Sequence, residues 1–161
     1  MTISTQTMTR EQRKSVALEY FKRFDNGGDV LGLFADDATV YFPKWGVAEG
    51  KDEIARLFTE VAGLFTQISH YPEYLKFIIE DDMVVVEGIT SGVTADGTPW
   101  RAGVTHAGRW TDIFEIRDHQ IHRCYIYLDP DYAGADTDRY PWLAVAEQNK
   151  TKALVRAPGE V

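Results

Sequence analysis

Residues 104–128 read V-T-H-A-G-R-W-T-D-I-F-E-I-R-D-H-Q-I-H-R-C-Y-I-Y-L, two long alternating segments joined at the polar break Arg117-Asp118-His119-Gln120. In the first segment a period of two puts His106, Gly108, Trp110, Asp112, Phe114 and Ile116 on one face, and Thr105, Arg109, Thr111, Glu115 and Arg117 on the other. That pattern predicts a strand buried on one side and hairpinned to its successor. The inward face is chemically odd, because it carries an imidazole and a carboxyl among aromatics. Buried without partners, such groups are strongly disfavoured, so they sit where a cavity, a partner or a substrate meets them. His106 and Asp112 are therefore the first candidate catalytic residues. At roughly 3.3 Å per strand residue their α-carbons stand about 20 Å apart, which points to opposite ends of one elongated ligand rather than a touching dyad.

Working outward, strands are expected over 73–80, 83–93, 100–116 and 121–128, with breaks at Asp81-Asp82 and Asp96-Gly97. Successive hairpins mean an antiparallel sheet. Upstream the period changes to that of helices. Thr9 followed by Gln12 makes a capping box, and Val16, Ala17, Tyr20, Phe21 and Phe24 share one helical face up to Asn26-Gly27-Gly28. A short second helix is expected from Asp29 with Leu31, Leu33 and Phe34, then a strand over 38–42 stopped by Pro43. From Lys51, Ile54, Leu57, Phe58, Val61, Leu64, Phe65 and Ile68 trace an apolar stripe. Helices first and strands last define an α+β class, with the helices over one face of a bent sheet. Residues 1–8 read as a flexible leader, 9–130 as the domain, and 131–161 as an extension with a helix expected over 141–155.

The formal net charge of −8 argues against a nucleic-acid groove or an anionic membrane surface, since both need clustered cations. Aromatic residues make up 12% of the chain, enough to line a cavity as well as fill a core. Cys124 is the only cysteine, so no internal disulfide or cysteine-based zinc cluster can form. His70, His119 and His122 lie near turns or on the last strand and read as ordinary; His119 and His122, spaced across a turn without a further ligand nearby, make no metal site. No apolar run suits a signal peptide or a bilayer span, and a cytoplasmic location is the expectation.

The order of elements and the run L-F-A-D-D-A-T-V-Y-F-P-K-W-G-V-A-E-G-K-D-E-I-A-R-L-F, residues 33–58, resemble the nuclear transport factor two-like superfamily. Within it the chain is most similar to the SnoaL-like and ketosteroid isomerase-like branch. The resemblance implies a cone-shaped, cystatin-like fold: a curved antiparallel sheet with N-terminal helices over its concave face, a hydrophobic pocket for a small molecule, and a homodimer formed through the sheet. It implies no cofactor. Asp112 matches the protonated, oxyanion-binding Asp of ketosteroid isomerases, and Tyr20 or Phe21, depending on a one-residue offset, falls near their helix-one Tyr. Their catalytic base corresponds to Phe42 here. Limonene epoxide hydrolases place polar groups at positions matching Val40, Phe42 and Ile126, all apolar in this chain, which counts against both of those reactions.

Two readings follow. In the first, an enzyme without a cofactor performs acid-base catalysis on a small apolar ring compound by isomerisation, dehydration or cyclisation. His106 moves the proton, and a neutral Asp112 with Tyr20 donates to the developing oxyanion. Trp110, Trp45, Phe42, Val40, Glu87, Phe58 and Ile126 are the candidate substrate-binding residues. In the second, the same pocket holds a hydrophobic ligand without turnover, or the sheet serves only assembly.

Overall fold

The structure, a computed structural model, describes residues 7–136. Helix α1 (Arg10–Asn26) starts at the expected capping box: the Thr9 hydroxyl accepts from Gln12 N–H at 3.2 Å, and the Gln12 side chain accepts from Thr9 N–H at 2.8 Å. Such a cap is worth about 1 kcal/mol. Met8, assigned to the loose leader by sequence, is buried and held: its carbonyl accepts from the Arg13 guanidinium, and its sulfur lies 3.1 Å from His119 N. Arg13 is itself buried on α1, where it also donates to the Ile116 carbonyl at 3.2 Å and pairs with Asp82. One cation thus ties the helix to the sheet hairpins beneath it. The helix expected over 141–155 lies outside the described residues.

The second helix expected from Asp29 is only a single 3-10 turn, Leu31–Leu33. Asp29 accepts from Gly32 N–H at 3.0 Å just ahead of it, but the apolar run is already extended by Phe34. Strand β1 (Phe34–Phe42) therefore begins earlier than the acidic turn suggested, and β2 (Gly46–Glu49) returns beside it. Helix α2 (Gly50–Ala62) buries Ile54, Leu57 and Val61. The stripe that ran on to Ile68 is cut at Gly63, and β3 (Phe65–Ser69) replaces its last turns. Leu64, Phe65 and Ile68 keep helical spacing by coincidence; their backbone pairs with another strand.

The remaining strands are β4 (Lys76–Glu80), β5 (Met83–Ile89), β6 (Ser91–Thr94), β7 (Pro99–Arg101), β8 (Arg109–Arg117) and β9 (Gln120–Leu128). They form a six-stranded sheet in the order β2-β1-β9-β8-β5-β4 and a three-stranded sheet in the order β3-β6-β7. Hairpins make most pairs antiparallel, while β1 joins β9 in parallel, with α2 and seven strands separating them in sequence. The run expected over 83–93 changes sheets at Thr90, and the run expected over 100–116 is interrupted by a turn. At that corner Thr90 N–H donates to the Gly108 carbonyl at 2.7 Å, and Ala102 N–H donates to the Thr90 carbonyl at 3.1 Å. Gly108 has φ +101°, and a Cβ there would lie 2.7 Å from backbone atoms of Ala102 and Thr90. The sheet can bend here only because this residue is glycine.

The concave face carries the core, in which Phe21, Phe34, Phe114, Ile54, Ile116 and Ile121 are fully buried. The outer face is different. Val47, Tyr41, Tyr125, Ile113, Val85 and Ile78 stand in register across all six strands as one apolar row. Ile78 is 71% exposed and Val47 51%. The flanking rows carry Arg123 opposite Glu115 on one side and Lys76 opposite Glu87 on the other.

Candidate functional site

Between the helices and the concave face lies a cavity of about 370 Å³. Phe24, Phe42, Phe58, Phe65, Ile126 and Leu128 supply much of its apolar wall. Trp110 forms part of it because of Gly88. The two residues are cross-strand partners, and a Cβ on Gly88 would stand 2.2 Å from Cζ2 of the indole. The ring can therefore lie flat over β5, where Phe21 packs on it at a centroid distance of 4.7 Å. Its indole N–H is buried without a hydrogen-bond partner among the described residues.

Two residues further along β8, Asp112 faces the same cavity at 4% exposure. Among the described residues its carboxyl has no hydrogen-bond or ion-pair partner. Burial drives its pKa well above the ordinary carboxylate value, because the charged form would be stranded in an apolar wall. Tyr20 projects from the inner face of α1 and meets Phe24 and Phe114 edge-on. Its hydroxyl accepts a weak hydrogen bond from the Cys124 thiol at 3.8 Å. Burial raises the pKa of the phenol too, with the Cys124 and Asp112 charges adding to the effect. Both shifts favour the protonated forms, in which the acid and the phenol can each donate.

A second polar group stands on the same cavity. Asp25, in the last turn of α1, accepts from His70 twice: Oδ1 lies 2.6 Å from Nδ1, and Oδ2 accepts the backbone N–H at 2.9 Å. Both side chains line the cavity, at 14% and 16% exposure. With Nδ1–H directed at the carboxylate, Nε2 carries the lone pair, and it has no partner among the described residues. The His70 ring is edge-on to Trp110 at 5.7 Å and tilted against Phe21 at 5.5 Å. The next residue, Tyr71, is left-handed at φ +48° just before Pro72, and its hydroxyl is bonded to Ser91 Oγ. A non-glycine residue held in that conformation marks a backbone fixed by its surroundings, and here it fixes His70.

The residues expected from sequence divide accordingly. Tyr20, Asp112, Trp110, Phe42, Phe58 and Ile126 line the cavity. His106 does not: β8 begins only at Arg109, so the alternation that aimed its ring inward stops at the Gly108 corner. Its Nε2 instead donates to the Asp131 carbonyl at 3.0 Å, with the Asp131 carboxylate 3.7 Å away. Glu87 lies on the outer face, 3.6 Å from Lys76. Val40 is fully buried in the core beside the cavity, not in its wall. Trp45 covers Phe42 from outside and donates its indole N–H to Glu60 at 2.9 Å.

Asp25 and Tyr132 were not among the residues singled out by sequence, and His70, near a turn, reads there as an ordinary histidine. For Asp25 a signal existed, since it follows Phe21 by four places on a buried helical face. His70 carried none, because the strand that delivers it was hidden in the continued stripe of α2. Among the described residues no three His, Cys, Asp or Glu side chains gather into a metal-binding group, and no helix is long and apolar enough to cross a membrane.

An α+β cone whose bent sheet and helices enclose a ring-lined cavity defines the nuclear transport factor two-like class. The chain belongs to the SnoaL-like domain family, whose model matches residues 17–124. Among solved structures it is similar to an NTF2-like protein from Anabaena variabilis, with 23% identity, a TM-score of 0.64, and coverage of 81% of this chain and 98% of that one. It is also similar to a candidate polyketide cyclase from Xanthomonas campestris pv. campestris, at 20% identity and TM-score 0.62 over 74% and 92% of the two chains. A third is TerC co-crystallized with polyporic acid, at 17% identity and TM-score 0.62 over 73% and 92%. These likenesses establish the fold. No curated protein sequence matches the chain.

Proposed function

We propose that the protein is an acid-base catalyst without a cofactor, acting on a small, largely apolar ring compound that carries a carbonyl or phenolic oxygen. The reaction is an isomerisation, dehydration or cyclisation that passes through an enolate. The observation that carries this reading is the presence, on one ring-lined cavity, of a buried unpartnered Asp112 and of His70 with its tautomer set by Asp25. His70 Nε2 removes a proton from the carbon next to the carbonyl. Neutral Asp112, with the Tyr20 hydroxyl nearby, donates to the oxygen on which charge develops, and returning the proton to another atom completes an isomerisation. The aromatic wall orients the ring and excludes water.

The test is deuterium exchange at the carbon α to a ring carbonyl, followed by NMR in D2O over a panel of cyclic enones and aryl ketones. Acceleration by the wild type that disappears in both His70→Ala and Asp112→Asn supports the reading. A second reading, binding without turnover, is favoured by the apolar residues Val40, Phe42 and Ile126 where relatives of this fold carry polar groups. It predicts saturable binding of such compounds with no exchange.

We also infer that a second copy of the chain covers the apolar row on the outer sheet face. A twofold arrangement buries the row against itself and brings the Arg123–Glu115 and Lys76–Glu87 rows to charges of opposite sign.

A further inference from the structure

The family match ends at residue 124 and the last strand at Leu128, yet one cavity wall comes from beyond both, from Tyr132. The segment that delivers it is folded around Asp131. Asp131 N–H donates to Asp129 Oδ1 at 2.9 Å, and the Asp131 carboxylate accepts from Ala135 N–H at 3.0 Å and Asp136 N–H at 2.9 Å. His106 pins this turn to the corner before β8 through the Asp131 carbonyl. Tyr132 then packs against both Trp100 and Phe65, each at a centroid distance of 4.8 Å and themselves 5.0 Å apart, and is 7% exposed.

The ring contacts account for the body of Tyr132 and leave its hydroxyl unexplained. Among the described residues that hydroxyl has no hydrogen-bond partner. Burial raises its pKa, with charge on Asp112 and then on Asp129 adding to the effect, and Tyr132 and Asp112 line the same cavity. Buried polar groups in folded proteins are almost always satisfied. Of the unpartnered groups on this cavity, the Asp112 carboxyl and the Tyr132 phenol are the two oxygen acids, and a ligand oxygen can satisfy both.

We propose that Tyr132 is a ligand-contacting residue whose hydroxyl, together with Asp112, binds the oxygen of an aromatic or enone ring, with the 129–136 turn as the closing wall of the site. This rests on the acid-base reading of the cavity and adds a donor from outside the family-matched span. It also gives His106 a positioning role: by holding the Asp131 carbonyl it holds the wall that carries Tyr132.

The experiment uses the full chain and 2-naphthol as the probe, titrated by fluorescence against wild type, Tyr132→Phe, Asp112→Asn and the double variant. Tyr132→Phe keeps the ring packing, and thermal denaturation verifies that the fold is intact. Loss of one neutral hydrogen bond to the probe predicts affinity about five- to tenfold weaker for Tyr132→Phe. The double variant should lose less than the product of the two single effects, because both donors meet the same oxygen. Wild-type affinity retained in Tyr132→Phe, strictly multiplicative effects, or no binding of 2-naphthol by wild type would each overturn the proposal. The parent reading is judged separately by the exchange assay. Exchange abolished by His70→Ala alongside naphthol binding indifferent to Tyr132→Phe removes only the Tyr132 role. Exchange that survives both active-site variants removes the catalytic roles of His70 and Asp112, and no exchange by wild type removes catalysis; naphthol binding still weakened in Tyr132→Phe keeps the binding wall in either case.

Discussion

Asp25 holds His70 by two bonds at once, one to the ring at 2.6 Å and one to the backbone at 2.9 Å, across 45 residues of sequence. The backbone bond fixes where the residue sits, and the ring bond fixes which nitrogen carries the proton. This pairing, more than any single residue, is what makes the cavity a candidate catalytic site. His70→Ala removes the base, so exchange at the substrate α-carbon should fall by about 10²- to 10⁴-fold.

Asp25→Asn tests the orientation separately from the base. The amide can keep the backbone bond but no longer selects the Nδ1–H tautomer, and turnover should fall on the order of 100-fold with little change in KM. Nitrogen-15 NMR of the imidazole should report Nδ1–H in wild type and a mixed or inverted tautomer in the variant. An unchanged tautomer with unchanged turnover would assign Asp25 a purely structural part.

The buried carboxyl makes stability depend on pH in a defined direction. Asp112 has a folded-state pKa raised by burial, so its neutral form is fully compatible with folding below the unfolded carboxyl value of about 4. As pH rises from there toward the folded value, ionisation favours the unfolded chain, and stability falls by about 1.4 kcal/mol for each pH unit until the folded pKa is passed. Asp112→Asn lacks this penalty. Its melting temperature should match wild type near pH 4 and exceed it increasingly toward pH 8, as read by scanning calorimetry. Parallel curves for the two proteins would mean that Asp112 is ionised at no cost.

Gly88→Ala should close part of the site from behind. The added methyl would stand 2.2 Å from the Trp110 ring, so the indole must move into the cavity or β5 must shift. Overpacking of this kind costs about 1–3 kcal/mol, measurable by urea denaturation, and it should weaken 2-naphthol binding as well. A variant as stable as wild type with intact binding would show that the ring has room to spare.

How far the sequence carries the argument differs by element. The capping box at Thr9 and Gln12, the apolar face of α1 and the inward alternation of Trp110, Asp112, Phe114 and Ile116 are all local patterns, and the structure reproduces them. The reading failed where one pattern imitates another or where a single glycine redirects the chain. Leu64, Phe65 and Ile68 continued a helical stripe while the backbone had already turned into β3, which hid His70. Gly108 ended the alternation that placed His106 on the same inward face as Asp112. Whether two distant side chains meet, as Asp25 and His70 do, depends on how the three-stranded sheet folds back over α1, and no local period records that.

The outer face carries its own prediction. Ile113 lies at the centre of the apolar row, and Ile113→Glu places a charge where a second copy would pack. Sedimentation should give a dimer for wild type and a monomer for the variant, with the cavity chemistry unaffected in the fold. A wild-type monomer at high concentration would leave the row without the partner inferred for it.

Carbon-13 NMR of protein labelled at the aspartate carboxyl carbons addresses the central claim most directly. The account predicts one carboxyl that is neutral at pH 7 and that vanishes from the spectrum in Asp112→Asn. If every aspartate is ionised at that pH, the neutral donor on which the site depends does not exist.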